Sequence, residues 1–528
     1  MKNTNSDIFK NLSFLRGIIP AENLATALFV ALKVKKEANK PDDINEALYD
    51  CSQFICNKYN CNNVFENKNV FLNFYQTVSS MGLDWIDILN IDTGKFGHMQ
   101  IPNSVGNLLL DRVCDNISNV LIKDGEKFSS TLKDIVDKNK NCAYLITTTQ
   151  VLYFEVLKEI FAGYQNVEIM QVGMNDFEFT SQKFDLILSL PPFGVRMMVE
   201  QQRDFICREY ELASTESLLY HLSFTGKLVT ILPARITFAT GRVEELRNFI
   251  QKMYKIEEIS ELPTGIFSST AIKTYLFTIA SGMTDDVTIR RYKKVVDKKS
   301  KEVSIKLEDE TFVMSTELED FGDWNIDKIF ARQDDDWQNF QNSNTKRVTL
   351  SDIATSFRGK VVNSKDETGA IGVVNIANIK EFDIDYNSLY HLDTDERKIS
   401  NYILEDGDIL IPARGTTIKT AVFKVQQYPC IASSNLIVIR VNQILPVYLK
   451  IFLDSPLGVK QIKGLQQGTT LMNISYKDIM SVEIPMIPLE EQKVISEEYE
   501  KELSLYQNTI SAANDRWQNV VKELQNKF

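Results

Sequence analysis

Apolar residues recur at helical spacing through the first 97 residues. AENLATALFVALKVKKEA sets them three and four apart, with lysines on the other face, and DDINEALYDCSQFICNKY continues the pattern. From 98 to 283 the pattern changes. Short apolar runs of strand length (AYLITTT, VEIMQV, DLILSL, KLVTILP, IEEISEL, TYLFTIASG) alternate with amphipathic stretches such as VLYFEVLKEIFAG and RVEELRNFIQKM. Such alternation predicts an α/β domain whose mostly parallel sheet is covered on both faces, with ligands held at the carboxyl ends of its strands. Residues 284–345 read as a connector, in which KKVVDKKSKEVSIKLEDE is a charged, hairpin-like stretch and RQDDDWQNFQNSNTKR is polar. From 346 to 488 short strands joined by polar turns predict an α+β domain, and 489–528 predicts one long helix.

Composition narrows the picture. The chain has 528 residues, 44% hydrophobic and 25% charged, which fits a globular chain of several domains. No run is apolar enough to span a membrane, and the amino terminus lacks a signal-type core, so a soluble cytoplasmic protein with reduced thiols is expected. Cys51, Cys56 and Cys61 stand five apart, wider than usual zinc spacing, and read as packed free thiols. The three histidines fall in no metal-hydrolase pattern. A net charge of −12 argues against long nonspecific wrapping of DNA and leaves room for a local basic surface.

The chemistry concentrates in FDLILSLPPFGVR, Phe184 to Arg196. With GKLVTILPARITFATGRVEELRNFI and ELPTGIFSSTAIKTYLFTIA, it resembles the modification subunit of type I restriction-modification systems, a family of N6-adenine DNA methyltransferases with a Rossmann-type sheet. LSDIATSFRGK, GDILIPARGTTIKTAVF and GTTLMNISYKDIMSVEIPMIPLEEQKVI resemble one half of the specificity subunit, a target-recognition domain with its trailing helix. The resemblance implies a methylase body fused to its own recognition domain.

Residue by residue, the methylase resemblance is degenerate. In the family an Asn or Asp before Pro-Pro accepts a hydrogen bond from the target amine, and the aromatic stacks on the flipped base. Pro191, Pro192 and Phe193 remain, but Leu190 takes the acceptor's place and can accept nothing. Ser189 stands one position early and is expected on the opposite strand face. The family's glycine-rich S-adenosylmethionine loop corresponds to NVLIKDGEKFSSTLKDI, which holds Gly125 alone, followed by Glu126, Lys127 and Phe128. The next strand ends in Thr147, Thr148 and Thr149, where the family carries a carboxylate for the ribose hydroxyls. Asp176 stands where the resemblance puts a contact to the cofactor's adenine; on its own it reads as a solvated turn residue. Three losses on a readable scaffold imply a methylase shape without methylase chemistry and no bound cofactor. The alternative is an active enzyme with an unusual site, which would use S-adenosylmethionine.

DNA reading is then the activity left. Arg358, Lys360, Arg414 and Lys419 supply cations for phosphates; Thr416, Thr417, Gln466, Gln467, Thr469, Thr470 and Asn473 supply polar groups in loops. The expected function is sequence-specific binding of double-stranded DNA in a restriction-modification or antiphage system. A scaffold that contacts protein instead is a weaker reading. The terminal helix carries an apolar stripe through Ile495, Tyr499, Leu503 and Tyr506, which predicts a homodimer or pairing with restriction-modification subunits.

Overall fold

Leu24 to Val34 carry so little polarity that the helix they form is buried all round rather than along one stripe. In the computed structural model this is α1 (Leu24–Glu37), with α2 (Ile44–Lys58) and α3 (Lys68–Met81) against it. The lysine-bearing face of the sequence pattern is not wholly outside: Lys33 is buried, and its ammonium is satisfied by Glu159 at 2.6 Å and Tyr59 at 3.0 Å. The structure describes residues 19–37, 44–61, 64–91, 99–198, 205–267, 270–282, 286–299, 303–362, 369–380, 383–415, 418–466 and 473–526, in two compact units, Met1–Trp324 and Asn325–Phe528. No helix among the described residues is long and apolar enough to cross a membrane, and all seven cysteines are free.

The first unit is built on a nine-stranded sheet: β1 (Asn119–Lys123), β2 (Ala143–Thr148), β3 (Val167–Gln171), β4 (Phe184–Ser189), β5 (Leu222–Pro233), β6 (Lys255–Leu262), β7 (Thr274–Ala280), β8 (Asp286–Val296) and β9 (Val303–Met314). Their order is β3-β2-β1-β4-β5-β7-β6-β8-β9. β1 to β5 are parallel, and β7 runs antiparallel to both β5 and β6. β1, β2, β4 and β7 are almost wholly buried, as unbroken apolar runs require when helices cover both faces. Helix α4 (Val151–Ile160) follows β2, α5 (Tyr210–Leu219) precedes β5, and α6 (Arg242–Met253) precedes β6. β5 opens directly after α5, which ends at Leu219, and Leu222 already pairs with Phe184.

Residues 286–314, which contain the hairpin-like stretch of the connector, form β8 and β9. Their apolar signal is short because β6 covers β8 only from Thr288 to Arg291, where Val287 and Ile289 are buried. Since the chain runs from β1 to β2 and β3 on one side and to β4 and β5 on the other, the sheet reverses its winding between β1 and β4. That is where an open α/β sheet offers a crevice.

The second unit has no single sheet. Four antiparallel strands lie in the order β10 (Ala354–Arg358), β16 (Leu436–Val441), β13 (Ile409–Pro412), β14 (Ala421–Val422). Three more lie in the order β12 (Tyr390–Leu392), β11 (Ile371–Val374), β15 (Cys430–Ala432). Helices α7 (Pro446–Asp454) and α8 (Pro456–Gly464) each start on proline, and Ser455 caps the second by accepting from Gly458 N at 3.1 Å. Helix α9 (Leu489–Gln525) is 37 residues long, and only Gln492 and Ser496 of it are buried. Its first turns are tied down by Gln492, which accepts from Leu445 N at 3.0 Å and donates to the Ile487 carbonyl at 2.9 Å.

Candidate functional site

β1 and β4 are in register, with Lys123 beside Ser189, so the turns that leave their carboxyl ends face each other across the switch point. After β1 the chain bends sharply: Asp124 takes a left-handed conformation (φ 57°), which Asp tolerates better than most residues. Gly125 follows because the turn lies flat on β2; a Cβ there would come within 2.2 Å of Ile146 Cγ2. This glycine therefore serves packing within the chain and not approach to a ligand. Gly125–Phe128 is one buried 3-10 turn.

The turn sends its charges inward. Lys127 Nζ donates to the Leu190 carbonyl at 2.8 Å and to Asp124 Oδ2 at 3.2 Å, so its side chain bridges the two turns. Lys123 Nζ lies 3.9 Å from Asp124 Oδ1 and 5.1 Å from the centre of the Phe179 ring. Glu126 is buried, and burial first, then the neighbouring Asp124, push its carboxyl well above the usual carboxylate range. Its carboxyl lies against Thr148 at the end of β2. Thr147 and Thr148 are both fully buried, and Thr147 Oγ1 accepts from Asp124 N at 3.3 Å.

On the β4 side, Leu190 is fully buried and Pro191 is buried, while Pro192 and Phe193 are half-buried, Phe193 against the main core. Ser189 Oγ is buried without a hydrogen-bond partner. Past Gly194 (φ 74°) the chain forms a short ladder, Arg196 opposite Glu209, that leads into α5. There Glu211 is buried, and burial pushes its carboxyl up to about 7. Asp176 sits in an exposed turn beyond β3, its N–H donating to the Gly173 carbonyl at 3.1 Å.

Tested against S-adenosylmethionine, this arrangement does not fit. The turn after β1 offers side chains in place of bare backbone, and Lys127 bridges the gap between the turns. The described end of β2 presents hydroxyls that are already buried. In the sequence Glu126 and Lys127 stand out only as residues that are not glycine; that they are buried between the two turns, with Glu211 buried nearby in α5, is visible only in the fold. A charged pair directly after an apolar strand was the available signal.

In the second unit the predicted cations divide. Arg358 Nε donates to the Ser434 carbonyl at 2.7 Å, and Lys360 Nζ to the Lys398 carbonyl at 2.7 Å, 5.5 Å from the Tyr402 ring centre. Both are thus engaged with the domain's own backbone. Arg414 and Lys419 are exposed. Two loops distant in sequence meet at Arg414, which bridges to Asn473, while the buried Gln466 donates to the Gly415 carbonyl at 2.9 Å. Lys419 is held by its neighbour, since Thr420 donates to Asp454 through both its N–H and its hydroxyl. Thr416, Thr417, Gln467, Thr469 and Thr470 lie outside the described residues.

The nine-stranded order, with β7 reversed, defines the first unit as a methyltransferase-type α/β fold. Residues 162–398 match the family model of the N-6 DNA methylases, and residues 342–506 match that of the type I restriction modification DNA specificity domain. The chain thus carries an N-6 DNA methylase match and a type I specificity-domain match in the same polypeptide. Among solved structures it is similar to the type I methyltransferase subunit from Streptococcus thermophilus (13% identity, 61% of this chain and 97% of that one, TM-score 0.46). It is also similar to the type IIG restriction endonuclease BpuSI (12% identity, 90% and 72%, TM-score 0.44). A third is a class I S-adenosylmethionine-dependent methyltransferase from Listeria monocytogenes (18% identity, 51% and 93%, TM-score 0.37). At these TM-scores the likenesses carry no weight, and what the chain resembles is read from the two family matches alone.

Proposed function

We propose that this chain is a sequence-specific DNA-binding protein of a restriction-modification or antiphage system, and that its methylase body transfers no methyl group. The observation that carries this reading is the Lys127 ammonium bonded to the Leu190 carbonyl and Asp124 across the switch point. Leu190, Pro191, Pro192 and Phe193 are then a vestige of the amine-binding loop, and Asp176 holds no cofactor. Incubation with labelled S-adenosylmethionine and mixed-sequence duplex tests it: neither retained cofactor nor labelled adenine is expected. Labelled adenine that disappears in Pro192→Ala would overturn it.

One observation favours the second reading, an active enzyme of unusual site. Lys123 Nζ, Asp124 Oδ1, Glu126 Oε2 and Ser189 Oγ are all buried without hydrogen-bond partners among the described residues, and such atoms call for water or a polar ligand. Retained cofactor in the same experiment would select that reading.

For DNA we assign contact to Arg414, Lys419 and Asn473, with Thr416, Thr417, Gln467, Thr469 and Thr470 of the same two sequence runs. Arg358 and Lys360 act more as positioning residues. For assembly we infer a two-fold dimer through α9. Gln492, Ser496, Tyr499, Leu503, Tyr506, Ile510, Ala513, Trp517, Val520 and Leu524 alternate spacings of four and three along it. This 3.5-residue period is that of a two-stranded coiled coil. The seam begins buried on its own domain and continues exposed, with Trp517 64% exposed and Leu524 49%.

A further inference from the structure

β8 and β9 leave the sheet that supports them. β6 pairs with β8 only as far as Glu261 beside Arg291, yet β8 and β9 stay paired from Tyr292↔Leu307 to Val296↔Val303. Those last rungs form a two-stranded ribbon that projects roughly 16 Å at the usual rise per residue. A ribbon of this size is marginal by itself in water. Tyr292 and Ile305 anchor its base against the main core, and Lys294 Nζ donates to the Gly265 carbonyl at 2.9 Å.

Its direction follows from the sheet. β8 is parallel to β6, and β6 and β5 both run antiparallel to β7, so the ribbon emerges on the edge that carries the carboxyl ends of β1 and β4. In a methylase-type fold that edge faces the substrate.

Its chemistry is one-sided. Within a chain of net charge −12, the described part of the ribbon exposes Lys293, Lys294, Lys298, Lys299 and Lys306, with Asp297 as its one acidic residue. Lys298, Lys299 and Lys306 form no ion pair among the described residues, and Lys293 has only Glu308, at 3.7 Å. Lys293 stands directly opposite Lys306, on the face turned away from Tyr292 and Ile305. Like charges opposed across a strand pair destabilise it, and an anion laid along that face would relieve the repulsion. A two-stranded ribbon also fits the major groove of duplex DNA, about 12 Å wide.

We propose that the β8–β9 ribbon is a second DNA contact, in which Lys298, Lys299 and Lys306 neutralise phosphates irrespective of sequence. This rests on the DNA-binding reading and adds to it a contact made by the methylase body itself. The test is fluorescence anisotropy of the full chain with labelled mixed-sequence duplex over a series of salt concentrations. Loss of three phosphate contacts in Lys298→Gln/Lys299→Gln/Lys306→Gln lowers the slope of log affinity against log salt by about 2–3. Lys→Arg at the same three positions keeps the native slope. The side chains are exposed, so thermal unfolding of both variants stays native. An unchanged slope in the Gln variant, or a lost one in the Arg variant, overturns the ribbon proposal. If Arg414→Ala/Lys419→Ala still weakens binding in that case, the recognition domain stands without the ribbon. If only the ribbon variant weakens it, the recognition-domain assignment fails instead. No affinity of the native chain for duplex overturns both.

Discussion

Lys127 is buried with its charge, and burying a charge is tolerable only when partners replace water. Asp124 and the Leu190 carbonyl do so. Lys127→Met should therefore destabilise the protein by about 3 kcal/mol in urea unfolding, because it leaves the buried Asp124 carboxylate with only the longer Lys123 contact, at 3.9 Å. Leu190→Asn restores the family's amide but leaves Lys127 and Glu126 in the crevice. It should give no labelled methyl transfer, and transfer would mean that Leu190 alone had silenced the site. Glu211 adds a pH dependence. Burial raises its carboxyl from 4.5 to about 7, so the native state holds a proton that the unfolded chain releases. Its contribution is fully favourable below about 4.5 and is lost as pH rises toward 7, a swing on the order of 3 kcal/mol. Unfolding midpoints across that window should fall with pH in the native chain, and Glu211→Gln should flatten the trend.

At the scale of elements, α9 is the clearest case of a segment that its own domain does not complete. Gln492 and Ser496 are the last fully buried positions of a seam that runs on to Leu524. Leu503→Glu/Ile510→Glu places charges in that seam without touching the domain core. It should convert a dimer to a monomer in analytical ultracentrifugation while the unfolding of the recognition domain is retained. A native chain that is already monomeric at micromolar concentration would leave the helix to a different partner subunit.

For the whole molecule, the two units divide the work. In the function proposed above, the recognition domain supplies sequence discrimination, and the methylase body supplies a scaffold with one basic ribbon. Arg414→Ala/Lys419→Ala should lower the salt slope by about 2 and reduce preference for the target over random duplex. The ribbon variant should leave that preference unchanged. Binding to a randomised duplex pool, followed by sequencing, reads both.

Much of this was legible in the chain. Strands such as TYLFTIA are apolar throughout because both faces are buried, and RVEELRNFIQKM shows its helix period plainly. The loss of the acceptor at Leu190 and of the glycine loop is likewise a matter of residue type. Three things depended on tertiary structure. That the hairpin-like stretch extends the main sheet depended on β8 pairing with β6, which covers only part of it. Arg358, Lys360, Arg414 and Lys419 look alike as letters, yet only folding decided which of them meet a carbonyl of their own domain. That Lys127 fills the crevice, instead of lining it, was decided by β1 and β4 lying side by side. Their adjacency brings Leu190, 63 residues away in sequence, within 2.8 Å of the ammonium. Local patterning determines which segments become strands and helices, whereas the partner of a buried charge is set by which strands the sheet makes neighbours.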